Sequence, residues 1–147
     1  MDRMMITNPE QSAEIQREVE KVDAMGFTIN YLVDGVHGLA ETVRNSKDKA
    51  ERKEALGHME VVMDSIRSIK KGDSDCALRN LENTEVELRK SIDFFKVDRE
   101  RWIRENPVED PKLSGYDEII ERYNREIEEI KANIKKLGGK TVEEMAA

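Results

Sequence analysis

The amino-acid sequence predicts an all-α protein, and two long runs of regularly spaced residues are the main reason. In the first third of the chain, nine small or apolar residues follow one another at alternating spacings of four and three. These nine are Ile15, Val19, Val22, Gly26, Ile29, Val33, Val36, Ala40 and Val43. A second run closes the chain and comprises Tyr116, Ile120, Tyr123, Ile127, Ile130, Ile134 and Leu137. Both spacings keep every member on one side of an α-helix, as in helical bundles and coiled coils.

The composition fits a packed bundle better than a disordered chain. Charged residues make up 39% of the 147 residues and aromatic residues 5%, a balance that disordered segments also have. The apolar residues here are periodic rather than scattered, however, so each helix has a face to bury. No window approaches the roughly 18 apolar residues that cross a bilayer, so we expect no membrane span.

Helix-capping and helix-breaking residues predict four helices. Asn8 and Pro9 suit the start of the first, because Asn caps well and Pro is tolerated at the first helical position. Gly72 suits the end of the second, and Asp73 or Ser74 suits the cap of the third. The four predicted helices cover about 9–44, 47–70, 74–104 and 115–137.

These helices predict a four-helix up-and-down bundle resembling an antiparallel coiled coil. We expect an N-terminal tail at 1–7, a single domain over 8–137 and a flexible tail at 138–147. The connections between the first three helices are short, which favours antiparallel neighbours. The first helix is the longest, so its apolar side extends past its shorter partners. Such a surface predicts self-association or binding of another helical protein.

Three glycines interrupt the first helix at Gly26, Gly35 and Gly38. Each costs about 1 kcal/mol relative to Ala in a helix interior. We expect them to permit close helix packing or a mild kink. The alternative is a hinge near Gly26 that divides the helix in two.

Candidate partner-binding residues come from a widened apolar face and a basic cluster. Phe94 and Val97 widen the face of the third helix around Phe95 and Trp102, and a wide stripe can also dock an outside helix. Arg52 and Lys53 belong to a basic cluster at the start of the second helix. We therefore expect partner contacts at Arg52, Lys53, Phe94, Val97 and Trp102.

Charge is unevenly distributed along the chain. Residues 8–44 carry seven acids against three bases, and residues 45–71 carry five acids against seven bases. An acidic helix followed by a basic one suits antiparallel pairing. The whole chain has a net charge of −7, and no aromatic residues alternate with the basic cluster, so we expect no nucleic-acid partner.

Metal-dependent chemistry is an alternative that rests on partial motifs. A di-metal carboxylate bundle needs two Glu-x-x-His motifs, and the chain offers only Asp34-x-x-His37. Glu51-x-x-Glu54 is similar to the first half of the motif of MazG-type nucleotide pyrophosphohydrolases, which hold magnesium. The second half of that motif is a Glu-x-x-Asp pair, which Glu60 and Asp64 do not fit because they are one residue too far apart.

A nuclease is a second enzymatic alternative. Arg52 and His58 are six residues apart, a spacing similar to the Arg-x4–6-His motif of HEPN-type ribonucleases. In such enzymes the pair would polarise a phosphodiester. The polar residue that usually stands beside the arginine is replaced here by Lys53, which counts against a nuclease.

Part of the second helix resembles a known family of chaperone cofactors. Glu41-Thr42-Val43-Arg44-Asn45, Glu54-Ala55-Leu56-Gly57-His58 and Met63-Asp64-Ser65-Ile66 together look like a fragment of the BAG family, with a gap. The pattern of Arg52-Lys53, Leu56, Met59 and Met63 is similar to the helix that BAG proteins press on the nucleotide domain of Hsp70. This resemblance, which spans residues 41–66, implies a helical cofactor of a chaperone.

The sequence as a whole predicts a non-enzymatic helical interaction or adaptor protein that self-associates through apolar helix faces. We expect no catalytic residues, cofactor or metal. The single cysteine, Cys76, cannot form an internal disulfide, and a cytoplasmic or other reducing compartment is the economical interpretation. The alternatives are a nucleotide hydrolase or HEPN-like ribonuclease, a viral or phage structural or assembly protein, and a BAG-like chaperone cofactor.

Overall fold

The regular structure of the protein is α-helical wherever it is described. The computed structural model describes residues 8–106 and 112–146, with the backbone alone at 112–114. Its helices are α1 (Pro9–Asn45), α2 (Lys49–Lys70), α3 (Ser74–Glu105), α4 (Lys112–Lys136) and α5 (Val142–Ala146). The predicted all-α bundle with a long first helix is confirmed. The tail predicted at 1–7 lies outside the described residues.

The first helix is continuous through its glycines. It begins with a capping box, in which the Asn8 side chain accepts a hydrogen bond from the Gln11 amide at 2.8 Å. No break occurs at Gly26, so the alternative of a hinge there is wrong. A β-carbon added at Gly26, Gly35 or Gly38 would meet no atom within 4 Å. The expected close packing at these glycines is therefore also wrong, because within the described part of the chain no neighbouring helix lies against them.

The turn from α2 to α3 follows the predicted signals. Gly72 has a φ of 102°, the left-handed conformation that favours glycine after a helix. Asp73 then caps α3 by accepting a hydrogen bond from the Cys76 amide at 3.0 Å. This bond, together with one donated by the Ser68 hydroxyl, lowers the pKa of Asp73. The sequence allowed either Asp73 or Ser74 as the cap of the third helix, and the structure shows that the cap is Asp73.

The C-terminal part of the chain departs from the prediction. The fourth helix begins at Lys112, before its predicted start near 115, and the chain forms a further helix, α5, after Gly138. Val142–Ala146 thus form a helix within 138–147, the segment predicted to be a flexible tail, and the flexibility itself stays a prediction. Thr141 and Glu144 explain this helix, because they form a capping box: the Thr141 amide donates to Glu144 Oε1 at 3.0 Å and the Glu144 amide donates to Thr141 Oγ1 at 3.3 Å.

The chain divides into two compact units between Asn80 and Leu81, a boundary that falls inside α3. The single domain predicted over 8–137 stays a prediction. In the first unit, α1 packs against α2, and the three-residue connection at 46–48 makes the two helices antiparallel. The buried residues of this unit are mostly small: Ala24, Thr28, Ala55, Ile69, Cys76 and Ala77.

The second unit pairs the rest of α3 with α4, also antiparallel. The rings of Phe95 and Tyr123 stack with centroids 5.9 Å apart, and Arg99 forms an ion pair with Asp117 at 2.9 Å. Its buried apolar residues are Leu81, Leu88, Ile92, Ile127, Ile130, Ile134 and Leu137. The closing heptad run predicted for α4 therefore supplies a large part of this core. Over both described ranges, the helices are too polar or too short to cross a membrane.

Candidate interaction surface

The first helix extends beyond the helix that packs on it. α1 has 37 residues and α2 has 22, which at 1.5 Å per residue gives lengths of roughly 55 and 33 Å. Because only three residues connect them, the C-terminal end of α1 lies beside the N-terminal end of α2. The far end of α2 therefore lies near Ala24, and about four turns of α1 project past it.

This projecting part of α1 carries an apolar stripe that stays exposed among the residues that the structure describes. Every residue from Asn8 to Val19 is exposed. Ile15, Val19 and Val22, hereafter the α1 stripe, are 57%, 48% and 64% exposed. The predicted apolar side of the helix thus exists here but is not buried.

The buried side of α1 near the end of α2 lies opposite this stripe. Ala24 and Thr28 are both fully buried, and at about 100° per residue they lie roughly 180° and 220° around the helix from Ile15. The Thr28 hydroxyl donates to the Ala24 carbonyl at 2.7 Å, so this polar group is satisfied within the helix. The burial at this end of α1 is therefore on the side of the helix away from the α1 stripe.

Acidic side chains border the stripe on both edges. Glu14, Glu18 and Asp23 line a shallow open groove together with the three apolar residues. Glu14 and Glu18 lie on one edge and Asp23 on the other, as their helical positions require.

The second unit has an exposed apolar surface on α3. Phe94 and Val97, hereafter the α3 patch, are each 64% exposed. The Phe94 ring meets the half-buried Phe95 ring edge-on, with centroids 5.5 Å apart. Trp102 follows Phe95 by seven residues, or two turns, and therefore lies on the side of Phe95. Of the three predicted contact residues on α3, two share the outer surface and the half-buried Trp102 does not.

The two predicted basic contact residues differ in their surroundings. Arg52 is half-buried, and its guanidinium donates a hydrogen bond to the Ser46 carbonyl at 2.8 Å, where α1 ends. This bond satisfies a carbonyl at the end of the helix, which is a structural role. Lys53 is exposed. Both residues lie in the first unit, whereas the α3 patch lies in the second.

A buried carboxylate that the sequence did not single out anchors α5. Glu85 is fully buried, and it accepts hydrogen bonds from Arg89 Nη2 at 2.8 Å and from the Val142 amide at 3.1 Å. Glu143 in turn accepts from Arg89 at 3.0 Å and from Lys131 Nζ at 2.8 Å. We call Glu85, Arg89, Lys131 and Glu143 the Glu85 network.

Charge pairing in this network shifts pKa values in the expected directions. The hydrogen bond that Arg89 donates to Glu85 raises the pKa of Arg89. The hydrogen bond that Lys131 donates to Glu143 raises the pKa of Lys131. Lys131 and then Arg89 lower the pKa of Glu143. The side chains are committed to one another and to the start of α5, which indicates a structural function.

The residues proposed for enzymatic alternatives are spread out. Arg52 and His58 are six positions apart, so their side chains leave α2 about 120° apart, and His58 is exposed. Asp34 and His37 are both exposed on α1. Among residues 8–106 and 112–146, no group of three or more His, Cys, Asp or Glu side chains is arranged to hold a metal ion.

Comparison with known proteins gave no match: no protein-family model, curated protein or solved structure is detectably similar to this chain.

Proposed function

We propose that this protein is a non-enzymatic helical adaptor that acts through exposed apolar helix surfaces, binding another helical protein and associating with itself. The observation that supports this proposal is the α1 stripe. It continues a heptad spacing that predicts helix pairing, yet Ile15, Val19 and Val22 are about half exposed or more. Apolar surface arranged in this way marks a site for another helix.

The α3 patch is the surface that we assign to self-association. Phe94 and Val97 are the most exposed large apolar residues of the second unit among those described. Charges of both signs surround them on the helix, including Lys90, Asp93 and Arg101. Such a mixed border does not repel a second copy as a border of one sign would.

The compartment that suits this role is a reducing one. Cys76 is buried, and its thiol lies 3.9 Å from the Ser65 carbonyl within the first unit. A buried thiol held in this way behaves as a small apolar residue. A cytoplasmic location therefore fits a chain whose single cysteine cannot form an internal disulfide.

Light scattering of the purified protein and of single variants tests the proposal. We expect concentration-dependent association, lost in Val97→Asp because a carboxylate in a packed apolar contact is costly. Val19→Asp should release the helical partner that copurifies from the native source. Val61→Asp is the matched control, since Val61 is 63% exposed on α2 and lies outside both surfaces.

Three results would contradict the adaptor role. One is a monomer at all concentrations that recovers no partner and binds no hydrophobic dye. Another is equal behaviour of Val19→Asp, Val97→Asp and the control. The last is an enzymatic activity abolished by Glu54→Gln or His58→Ala without loss of folding, which would favour the hydrolase or nuclease alternative.

A further inference from the structure

The border of the α1 stripe carries charge of a single sign. Glu14 and Glu18 line one edge of the groove and Asp23 lines the other. All three side chains belong to exposed residues, so their charges are available to a partner that lies along the stripe.

The bases of this segment face away from the groove. Arg17 and Lys21 lie roughly 200° and 240° around the helix from Ile15, on its opposite side. Residues 9–23 contain five acids and two bases, a net charge of −3. The charged residues that border the groove are therefore all acids, Glu14, Glu18 and Asp23, and neither base borders it.

A second copy of the chain is a poor occupant for this groove. In a parallel pair of α1 stripes, Glu18 and Asp23 occupy the g and e positions that oppose each other across the seam, which places like charges in contact. In an antiparallel pair, Glu18 would face Met25 and Asp23 would face Gln16, so no opposite charges meet. Neither arrangement of two copies gives an ion pair along the groove.

We infer that the partner of the α1 stripe is a basic amphipathic helix of another protein, with apolar residues along its seam and Lys or Arg on both edges. This inference rests on the adaptor function proposed above and names the partner of one of its surfaces. The apolar side chains of such a helix cover Ile15, Val19 and Val22, while its basic edges meet Glu14, Glu18 and Asp23. Opposite charges on both borders fix the register and speed up association.

Synthetic peptides of about three heptads provide the probe. Two carry the same leucine seam, one with Lys and the other with Glu at the edge positions. A third has the composition of the Lys peptide with its leucines scattered around the helix. We expect the Lys peptide to bind the full chain at least about tenfold more tightly than either of the others, with an affinity that falls as salt is raised.

Charge-matched variants distinguish attraction of the peptide to the groove from attraction to the overall negative charge of the protein. Glu14→Lys/Glu18→Lys should weaken binding of the Lys peptide at least about tenfold and improve binding of the Glu peptide. Glu54→Lys/Glu60→Lys changes the net charge by the same amount at exposed positions on α2 and should leave the affinity within about twofold. Circular dichroism of both variants checks that the helices are intact.

Several results would overturn the inference. Equal binding of the ordered and scattered Lys peptides, or equal losses in the two double variants, would mean non-specific attraction by net charge. Tighter binding of the Glu peptide than of the Lys peptide would mean that the partner of the α1 stripe is acidic rather than basic. A homodimer that Val19→Asp dissociates would make a second copy the occupant and refute the inference, while leaving the adaptor function in place.

Discussion

The buried carboxylate of Glu85 on α3 accepts a hydrogen bond from the backbone amide of Val142, the first residue of α5, at 3.1 Å. Two residues 57 positions apart are thereby joined within the second unit. The bond satisfies one of the amides at the start of α5 that have no partner within the helix. A helix of only 5 residues is marginal by itself in water, so this contact helps to explain why Val142–Ala146 form a helix.

We predict that Glu85→Ala detaches α5 and lowers the free energy of unfolding by about 2–4 kcal/mol. The range is below that for a fully buried ion pair because a third of the Arg89 side chain is exposed. Urea denaturation measures the loss. Glu87→Ala is the control, since Glu87 is 72% exposed, and it should change stability by less than about 0.5 kcal/mol. Equal effects of the two substitutions would refute the anchoring role.

Acid should release α5 in a defined pH range. The Thr141 amide and then Lys135 lower the pKa of Glu144 from 4.5 to about 2. A carboxylate whose pKa is lower in the folded state stabilises that state above pH 4.5, and this contribution is lost as the pH falls from there towards 2. We therefore expect hydrogen exchange of the α5 amides to accelerate over this range.

The Glu144→Gln variant provides the comparison for the acid transition. Its amide oxygen can still accept the hydrogen bond from Thr141 but has no charge to titrate, so the variant should remove most of the dependence of the α5 amides on pH between 4.5 and 2. Amides near Ile130, which is fully buried in α4, serve as an internal reference because they are not part of the capping box. An α5 transition unchanged by the substitution would contradict the assignment to Glu144.

Glycine substitutions should have opposite effects at two kinds of position. Gly26→Ala and Gly38→Ala should each stabilise the protein by about 0.5–1 kcal/mol, because both glycines are helical and a β-carbon there meets nothing within 4 Å. Gly72→Ala should destabilise by about 1 kcal/mol, because Gly72 has a φ of 102°. Thermal denaturation of the three variants measures these shifts, and a destabilising Gly26→Ala would indicate a neighbour at that position.

The sequence predicted α1 to α4 well because their signals are local. Heptad spacing, the Asn8 cap and the Gly72 terminus each depend on residues within a few positions of one another. The same spacing could not show whether the α1 stripe is covered, since that depends on which side of α1 packs against α2 and on how far α2 reaches along α1. Val19 is therefore on the predicted side of the helix but remains 48% exposed.

The sequence analysis did not predict two features of the second unit, the helix α5 and the buried Glu85. The Thr141-x-x-Glu144 pattern is a capping-box signature that could have indicated α5 from sequence alone. Glu85 carried no such signal, because its partners Arg89 and Val142 are brought together only when α3 and α5 pack. On α3, the seven-residue spacing of Phe95 and Trp102 already indicated that Trp102 lies on the side of Phe95.

Site-specific photocrosslinking tests the central claim, that the exposed α1 stripe is a contact surface for another helix. A photoreactive amino acid replaces either Val22 or Val61, two valines that are 64% and 63% exposed on α1 and α2, and the protein is irradiated in its native source. We expect one specific adduct from position 22, mapping to a basic amphipathic helix of the partner, and none from position 61. The same adducts from both positions, or none from position 22, would contradict it.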